Sequence, residues 1–386
     1  MNPLPLSPER SIIIVSDRIE YSEEKLASSA LGTDLQTTGH LPQPAVEGGY
    51  LERLPLSCIA AGIVERSEVW HHVIGGGQSL QRASAHLTYR GVPADGPESP
   101  VKSRSMLELF QRHGAPHILV VFGLGIDATL LDACANSVRI YNSIDAPSLR
   151  IPEDVSARFD IVLTGAQWQS DEVAARHPGM TTAILPVGPE FAGVDQFRPL
   201  GMPKDYDLIY VAAAQPYKRH DLLFDALEQC PHDVRALCVF GYGEMADALR
   251  ADAAARGLSV DFVGPPGVAF DEVNRLMNRA KFGVVCGRDD GAPAILTEYM
   301  LAGLPVLANA ELVCGRHYIQ PETGTLASPD NFAAAIMTMR EEYAAFAPRE
   351  AVLAQWTWHH SIAKLQPLIV QAQRRKRRSH QHGSVR

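Results

Sequence analysis

Short apolar runs bounded by Gly, Pro, Asn or Asp alternate with segments of helical period along almost the whole chain. In the first half, SIIIVS (11–16), VWHHVIG (69–75), HILVVFG (117–123), VRIYNS (138–143), FDIVLTG (159–165) and TAILPVG (182–188) predict strands. Helices are expected between them near 48–62, 101–114, 126–136 and 168–177. Such runs suit strands buried on both faces, so the pattern predicts βα units and a mainly parallel sheet under helices. The regularity lapses at VDQFRPLGMPKDY and restarts with DLIYVAAA (207–214), VRALCVFG (234–241), SVDFVG (259–264), FGVVCG (282–287) and LPVLAN (304–309). Helices fill these gaps near 219–230, 244–257, 270–279, 293–302 and 330–346. The expectation is two doubly wound α/β domains, at 1–200 and 201–350, whose strand C-terminal edges face a shared cleft. A further amphipathic helix is expected at 351–372, and the basic tail at 373–386 is expected to be disordered.

Composition agrees with this division. The chain has 386 residues, more than one core usually organises, and its 46% apolar and 20% charged content is that of a soluble globular protein. No apolar run approaches the ~18 to 20 residues of a membrane span, and the segment MNPLPLSPERSIIIVSD is too weakly apolar for a signal peptide, so a cytoplasmic protein is expected. The six cysteines are scattered, with neither a C-x-x-C pair nor zinc-ligand spacing, and read as reduced thiols. A net charge of -9 argues against nucleic-acid binding. The positive charge gathers at the end, where Arg374, Arg375, Lys376, Arg377 and Arg378 could meet an anionic membrane surface; a solvated tail is the plainer expectation.

The stretch GRDDGAPAILTEYMLAGLPVLAN (287–309) concentrates the chemistry. Pro293 suits the first position of a helix, and the amides of Ala294, Ile295 and Leu296 would then point out of its N-terminus, where phosphate is favoured. Asp290 on the loop and Glu298 about a turn into the helix would flank those amides. Carboxylates accept well from sugar hydroxyls and repel phosphate, so the order suits a nucleotide sugar. The plainer account is that Glu298 favours a helix start and that Asp289 and Asp290 form a turn.

At this point the residues resemble a family. DGAPAILTEYMLAGLPVLAN looks like the E-x7-E donor motif of retaining glycosyltransferases of the GT-B fold, family GT4 (glycosyl transferases group 1), with Asp290 at the first acid and Glu298 at the second. YVAAAQPYKRHDLLFDAL resembles the segment carrying the donor-phosphate lysine, here Lys218. FGYGE resembles the Gly-rich turn, with Gly241 and Gly243, and VDFVGPPG the loop near the base, with Gly264. GVDQFRP resembles the interdomain junction, ETGTLASPDNFAAAI the segment after the motif, and VEGGYLERL the Gly-Gly loop, with Gly48 and Gly49. The likeness covers 200–346 and is thinner before that.

The resemblance implies two Rossmann-like domains and a hexosyltransferase, EC 2.4, using a UDP- or GDP-sugar without a bound metal. It implies that Glu298 bonds the donor ribose, that Asp290 contacts the transferred sugar and that Lys218 neutralises the diphosphate. Arg219, Gly291, Ala292, Ala294, Ile295 and Leu296 would line the donor. The acceptor, a polysaccharide, lipid-linked or small-molecule glycoside, would be held by the first domain, with the protein cytoplasmic or peripheral at the inner membrane face.

Two departures stand out. Ala213 occupies a position where the family usually has Arg, so one phosphate contact is missing or supplied by Arg219 or Arg288, and Ile144 replaces a His before Asp145. They keep open a catalytically weakened nucleotide-sugar-binding protein. The G-x-G-x-x-A turn at Gly123, Gly125 and Ala128, with Asp145 on the next strand, keeps an NAD-dependent oxidoreductase or epimerase as a lesser alternative. His71 and His72 read as structural; the resemblance implies that the helix at 351–372 crosses back to the first domain, with Trp356 and Trp358 as its anchors.

Overall fold

A computed structural model describes residues 10–21 and 44–383, with side chains in the last helix described to Arg378. A Pro- and Gly-spaced segment runs from Leu31 to Gly49, and most of it lies outside the described residues. The chain divides into two units, Met1–Val187 with Trp358–Arg386, and Gly188–Thr357. The division falls at 187/188, ahead of the Pro- and Gly-rich stretch, because Gly188 to Pro199 packs with the residues C-terminal to it: Phe197 is buried in the second unit's core.

In the first unit, β1 (Ser11–Tyr21), β2 (Arg66–Ile74), β4 (Leu87–Pro93), β5 (Ile118–Phe122), β6 (Val138–Asn142), β7 (Ile161–Thr164) and β8 (Thr181–Ile184) pair in parallel. The short β3 (Ser79–Arg82) adds antiparallel to β4, and the sheet order is β3-β4-β2-β1-β5-β6-β7-β8. Ile12 to Val15 of β1 are wholly buried between two neighbours, each aliphatic side chain contributing about 1.5–3 kcal/mol by leaving water. The β3–β4 pair is absent from the expected strands. β3 is exposed along its length, so no apolar face marks it. The helices are α1 (Arg53–Ala60), α2 (Arg104–His113), α3 (Ala128–Ala133), α4 (Glu153–Ser156) and α5 (Gln167–Arg176).

The second unit holds β9 (Tyr206–Val211), α6 (His220–Glu228), β10 (Ala236–Val239), α7 (Ala246–Ala255), β11 (Val260–Val263), α8 (Phe270–Asn278), β12 (Ala280–Val285), α9 (Ile295–Leu301), β13 (Val306–Asn309), β14 (Gly324–Ala327), α10 (Phe332–Glu342) and α11 (Pro348–Gln355). Its strand order is β11-β10-β9-β12-β13-β14, all parallel. Leu208 and Tyr210 of β9 enter one apolar layer and Ile209 and Val211 the other, as the twofold period of a strand requires. From β9 the chain builds outward through β10 and β11, then returns to lay β12 on the other side of β9. In a doubly wound sheet such a reversal opens a crevice at the strand C-termini.

The expected helix at 351–372 is two elements. Trp356, at the end of α11, is buried in the second unit's core beside Tyr318, 5.0 Å between ring centroids. Then α12 (Trp358–Gly383) runs for 26 residues in the first unit, burying Ile362, Leu365, Ile369 and Ala372 at helical spacing. The expectation of a disordered tail from 373 is corrected: the helix continues to Gly383, with Gln373 bonded to His117 at 2.6 Å and Lys376 to Asp160 at 2.9 Å. No described helix is long and apolar enough to cross a membrane.

Candidate active site

The crevice between β9 and β12 is built by the loops at their C-terminal ends. After β9 the chain makes a 3-10 turn, Pro216–Lys218, then passes through Arg219 at φ 54 and ψ 49, the one non-glycine with positive φ among the described residues. The Tyr210 hydroxyl donates to the Lys218 carbonyl at 2.6 Å and ties the turn back to its own strand. From β12, Gly287 passes so close that a Cβ there would lie 3.0 Å from the Tyr217 carbonyl oxygen. That approach brings Asp290 to Lys218: the ammonium donates to Asp290 Oδ2, and both side chains are largely buried. The same ammonium lies 4.7 Å from the centre of the Tyr217 ring.

Beyond Asp290, Gly291 is buried and Ala292 half-buried. Helix α9 begins at Ile295, with Ala294 as its N-cap and Pro293 before it, two residues later than expected. The cause is a turn in which the Leu296 amide donates to the Pro293 carbonyl at 3.2 Å. Leu296 therefore does not present its amide outward, and its side chain is wholly buried. Glu298 lies in the first turn with 9% of its surface exposed. Its neighbour Tyr299 fastens the helix to β9, donating to the Ile209 carbonyl at 3.1 Å and accepting from the Val211 amide at 2.6 Å.

The Gly-rich turn after β10 closes on the same crevice. Gly243 stands at φ +126, where a Cβ would lie 2.3 Å from the Ala214 carbonyl oxygen, so only glycine fits without moving the loop. A Cβ on Gly267 would lie 3.1 Å from Gly241, and this brings the expected base loop, which begins at Gly264, against the Gly-rich turn.

Other expected site residues are otherwise engaged. Arg219 is held by Asp221, with Nε 3.0 Å from both carboxylate oxygens, and Arg288 lies 3.9 Å from Asp289. In the first unit the Gly49 amide donates to Glu52 at 2.6 Å and the Gly48 carbonyl accepts from Arg53 at 2.9 Å, so this loop is closed on itself by its own helix α1. Asp145 pairs with Arg150 at 3.1 Å.

His220, two residues after Lys218, is not among the residues expected from the sequence. It is 2% exposed, packed between Tyr210 and Phe240 at 4.8 and 5.3 Å between centroids, and neither ring nitrogen has a hydrogen-bond partner. Burial, with the charge of Lys218, lowers its pKa to about 4, so the imidazole is neutral. A lone His after K-R in sequence carries no mark of burial. Tyr210 and Tyr299 were missed because both lie within apolar runs. Among the described residues no group of three or more His, Cys, Asp or Glu is placed to hold a metal ion.

Two parallel-sheet units, with a lysine and two acids at the crevice of the second, define the class: this is the fold of the GT-B glycosyltransferases. Residues 195–344 match the family described as Glycosyl transferases group 1. No curated protein matches the chain in sequence. Among solved structures, sucrose-phosphate synthase from Thermosynechococcus elongatus superposes with a TM-score of 0.64 at 16% identity, covering 94% of this chain and 98% of that one. Anabaena HepE in complex with UDP and glucose gives 0.59 at 16% identity, over 97% and 100%. The pneumococcal O-GlcNAc transferase GtfA in complex with UDP and GlcNAc gives 0.55 at 12% identity over 69% of this chain, which spans 59% of its length. The family match lies within the second unit, and the solved structures share the fold with this chain.

Proposed function

We propose that the protein is a retaining glycosyltransferase of the E-x7-E type, family GT4, that takes a hexose from a UDP- or GDP-sugar held by the second unit. The acceptor hydroxyl belongs to a glycan, a lipid-linked sugar or a small glycoside held by the first unit. The observation that carries this reading is the convergence of Lys218 and Asp290, 72 residues apart in sequence, at the sheet's reversal point with Glu298 on the adjoining helix.

In this reading Lys218 meets the diphosphate, where negative charge grows as the bond from the anomeric carbon to the phosphate oxygen breaks. The electron pair of that bond leaves with the phosphate. The acceptor oxygen bonds to the anomeric carbon on the same face, and its proton passes to the departing phosphate oxygen, so no protein base is required. Asp290 accepts from a hydroxyl of the sugar and Glu298 from the ribose. Gly241, Gly243 and Gly264 leave room beside the base, and the amides of Ala294 and Ile295 face the donor. Lys218 supplies the cation at the phosphates, and the reading calls for no metal. The protein acts in the cytoplasm, with the basic face of α12 as its membrane-side contact.

One observation favours a slower, nucleotide-sugar-binding protein of the same fold: Arg219 is committed to Asp221, which leaves Ala213 uncompensated. Calorimetry with UDP and GDP, and then product analysis with a panel of nucleotide sugars, tests both. Binding with turnover supports the transferase, and binding without turnover the slower alternative. Absence of binding to either nucleotide rejects both.

A further inference from the structure

Lys218 has two neighbours at the crevice of the second unit. One is Asp290, whose carboxylate accepts from the ammonium. The other is the ring of Tyr217, the residue before it, with the ammonium 4.7 Å from the ring centre. The face of an aromatic ring is its negative side, so a cation within about 6 Å of the centroid is attracted to it.

The backbone that carries both side chains is fixed on several sides. Pro216 opens the 3-10 turn, the Lys218 amide donates to the Gln215 carbonyl at 3.1 Å, and the Tyr210 hydroxyl donates to the Lys218 carbonyl at 2.6 Å. The loop after β12 closes against the turn at Gly287, and the Gln215 side chain donates to Glu244 of the Gly-rich loop at 2.5 Å. On this anchored turn the Tyr217 ring enters neither apolar layer of the second unit. Tyr217 is 41% exposed, whereas the Lys218 side chain is 17% exposed.

A long lysine side chain gives up much rotamer freedom when its ammonium is fixed in place. Asp290 fixes it in the free protein, but a carboxylate competes with phosphate for the same charge and, under the proposed function, turns to the sugar hydroxyl. The ring bears no net charge, so it holds the ammonium without neutralising it.

We propose that Tyr217 is a positioning residue for Lys218: its ring keeps the ammonium at the crevice when Asp290 releases it, so the lysine meets the diphosphate already ordered. This rests on the reading of Lys218 as the cation at the donor phosphates. The ring acts through the lysine and not on the donor itself, so its effect on UDP binding grows when Asp290 is absent.

UDP is titrated by calorimetry into wild type, Tyr217→Leu and Tyr217→Phe, and into the same three proteins carrying Asp290→Asn. In the Asp290→Asn background Tyr217→Leu should weaken UDP binding about three- to fivefold, the range of a cation over an aromatic face, and Tyr217→Phe should restore it to within about twofold. With Asp290 in place the carboxylate still orders the lysine, and the loss in Tyr217→Leu should stay below about twofold. No loss in either background, an equal loss in both, or a Phe variant no better than Leu overturns the assignment; the equal loss would put the ring on the ligand. A second readout needs no donor. In the Asp290→Asn protein, acylation of Lys218 by an N-hydroxysuccinimide ester, followed by peptide mass spectrometry, should be about threefold faster in Tyr217→Leu and unchanged in Tyr217→Phe. Equal rates in all three overturn the contact. If wild type fails to bind UDP, the donor reading falls, and the acylation rates alone decide whether the ring holds the lysine.

Discussion

Replacing Asp290 by Asn removes one negative charge beside Lys218 at nearly constant volume. In the protein without donor the ammonium is held by this carboxylate, the two side chains being 17% and 12% exposed. A diphosphate must take the lysine from the carboxylate, so the pair competes with the ligand. A hydrogen bond to a charged group contributes about 1.5–3 kcal/mol, and the remaining solvent access reduces this to roughly 1.4 kcal/mol, which is about tenfold in a dissociation constant. Asp290→Asn is therefore expected to bind UDP about tenfold more tightly than wild type, while sugar transfer falls because the acceptor of the sugar hydroxyl is lost. The lysine left alone should lower the melting temperature of the free protein by a few degrees, at about 2–4 °C per kcal/mol for a unit of this size. Titration calorimetry at low and high salt is the assay, and the gain should shrink as salt screens the charges. UDP affinity equal to or weaker than wild type in this variant would refute the competition.

The same geometry sets further outcomes. Lys218→Met should weaken UDP binding by about 1.5–3 kcal/mol and abolish transfer, read by calorimetry and product analysis, and should also lower the melting temperature by a few degrees because the Asp290 carboxylate is left unpaired. Glu298→Gln should raise the donor KM about tenfold, a loss of roughly 1.4 kcal/mol, and weaken UDP binding less than Lys218→Met does; equal losses would remove the division of labour between them. Gly243→Ala would place a Cβ 2.3 Å from the Ala214 carbonyl oxygen at φ +126, and should cost about 1–3 kcal/mol in thermal unfolding together with UDP binding. His220, whose pKa is lowered from 6.5 to about 4, gives the pH dependence. Above pH 6.5 it is neutral in both folded and unfolded chains and contributes nothing. Between 6.5 and 4 the unfolded chain binds the extra proton, so stability falls by up to about 1.4 kcal/mol per pH unit as pH drops. His220→Leu should flatten that part of the curve, and an unaltered profile in urea unfolding would exclude the burial penalty.

Much of the fold was legible because burial on both faces of a parallel strand leaves a continuous apolar run, as in Ile12 to Val15 and Leu208 to Tyr210. Where that condition fails the sequence is silent: β3 is exposed throughout and β14 is four residues of mixed character. The start of α9 was misplaced by two residues because Pro293 can either open a helix or lend its carbonyl to the turn before one, and local propensity does not separate the two. The tail from 373 reads as solvated by charge alone, but Ile362, Leu365, Ile369 and Ala372 upstream bind α12 to the first unit and carry the helix on through the basic stretch.

By itself, the sequence determined the order of βα units, the two-part division, and the order of Lys218, the Gly-rich turn and the two acids, since each depends on neighbours within a few positions. The tertiary structure decided which of these meet. The reversal of strand order at β9 and β12 joins Lys218 to Asp290 across 72 residues, and packing between Tyr210 and Phe240 buries His220 without a hydrogen-bond partner. Charge pairing and desolvation act through space, and a linear pattern carries no measure of distance between residues on different strands.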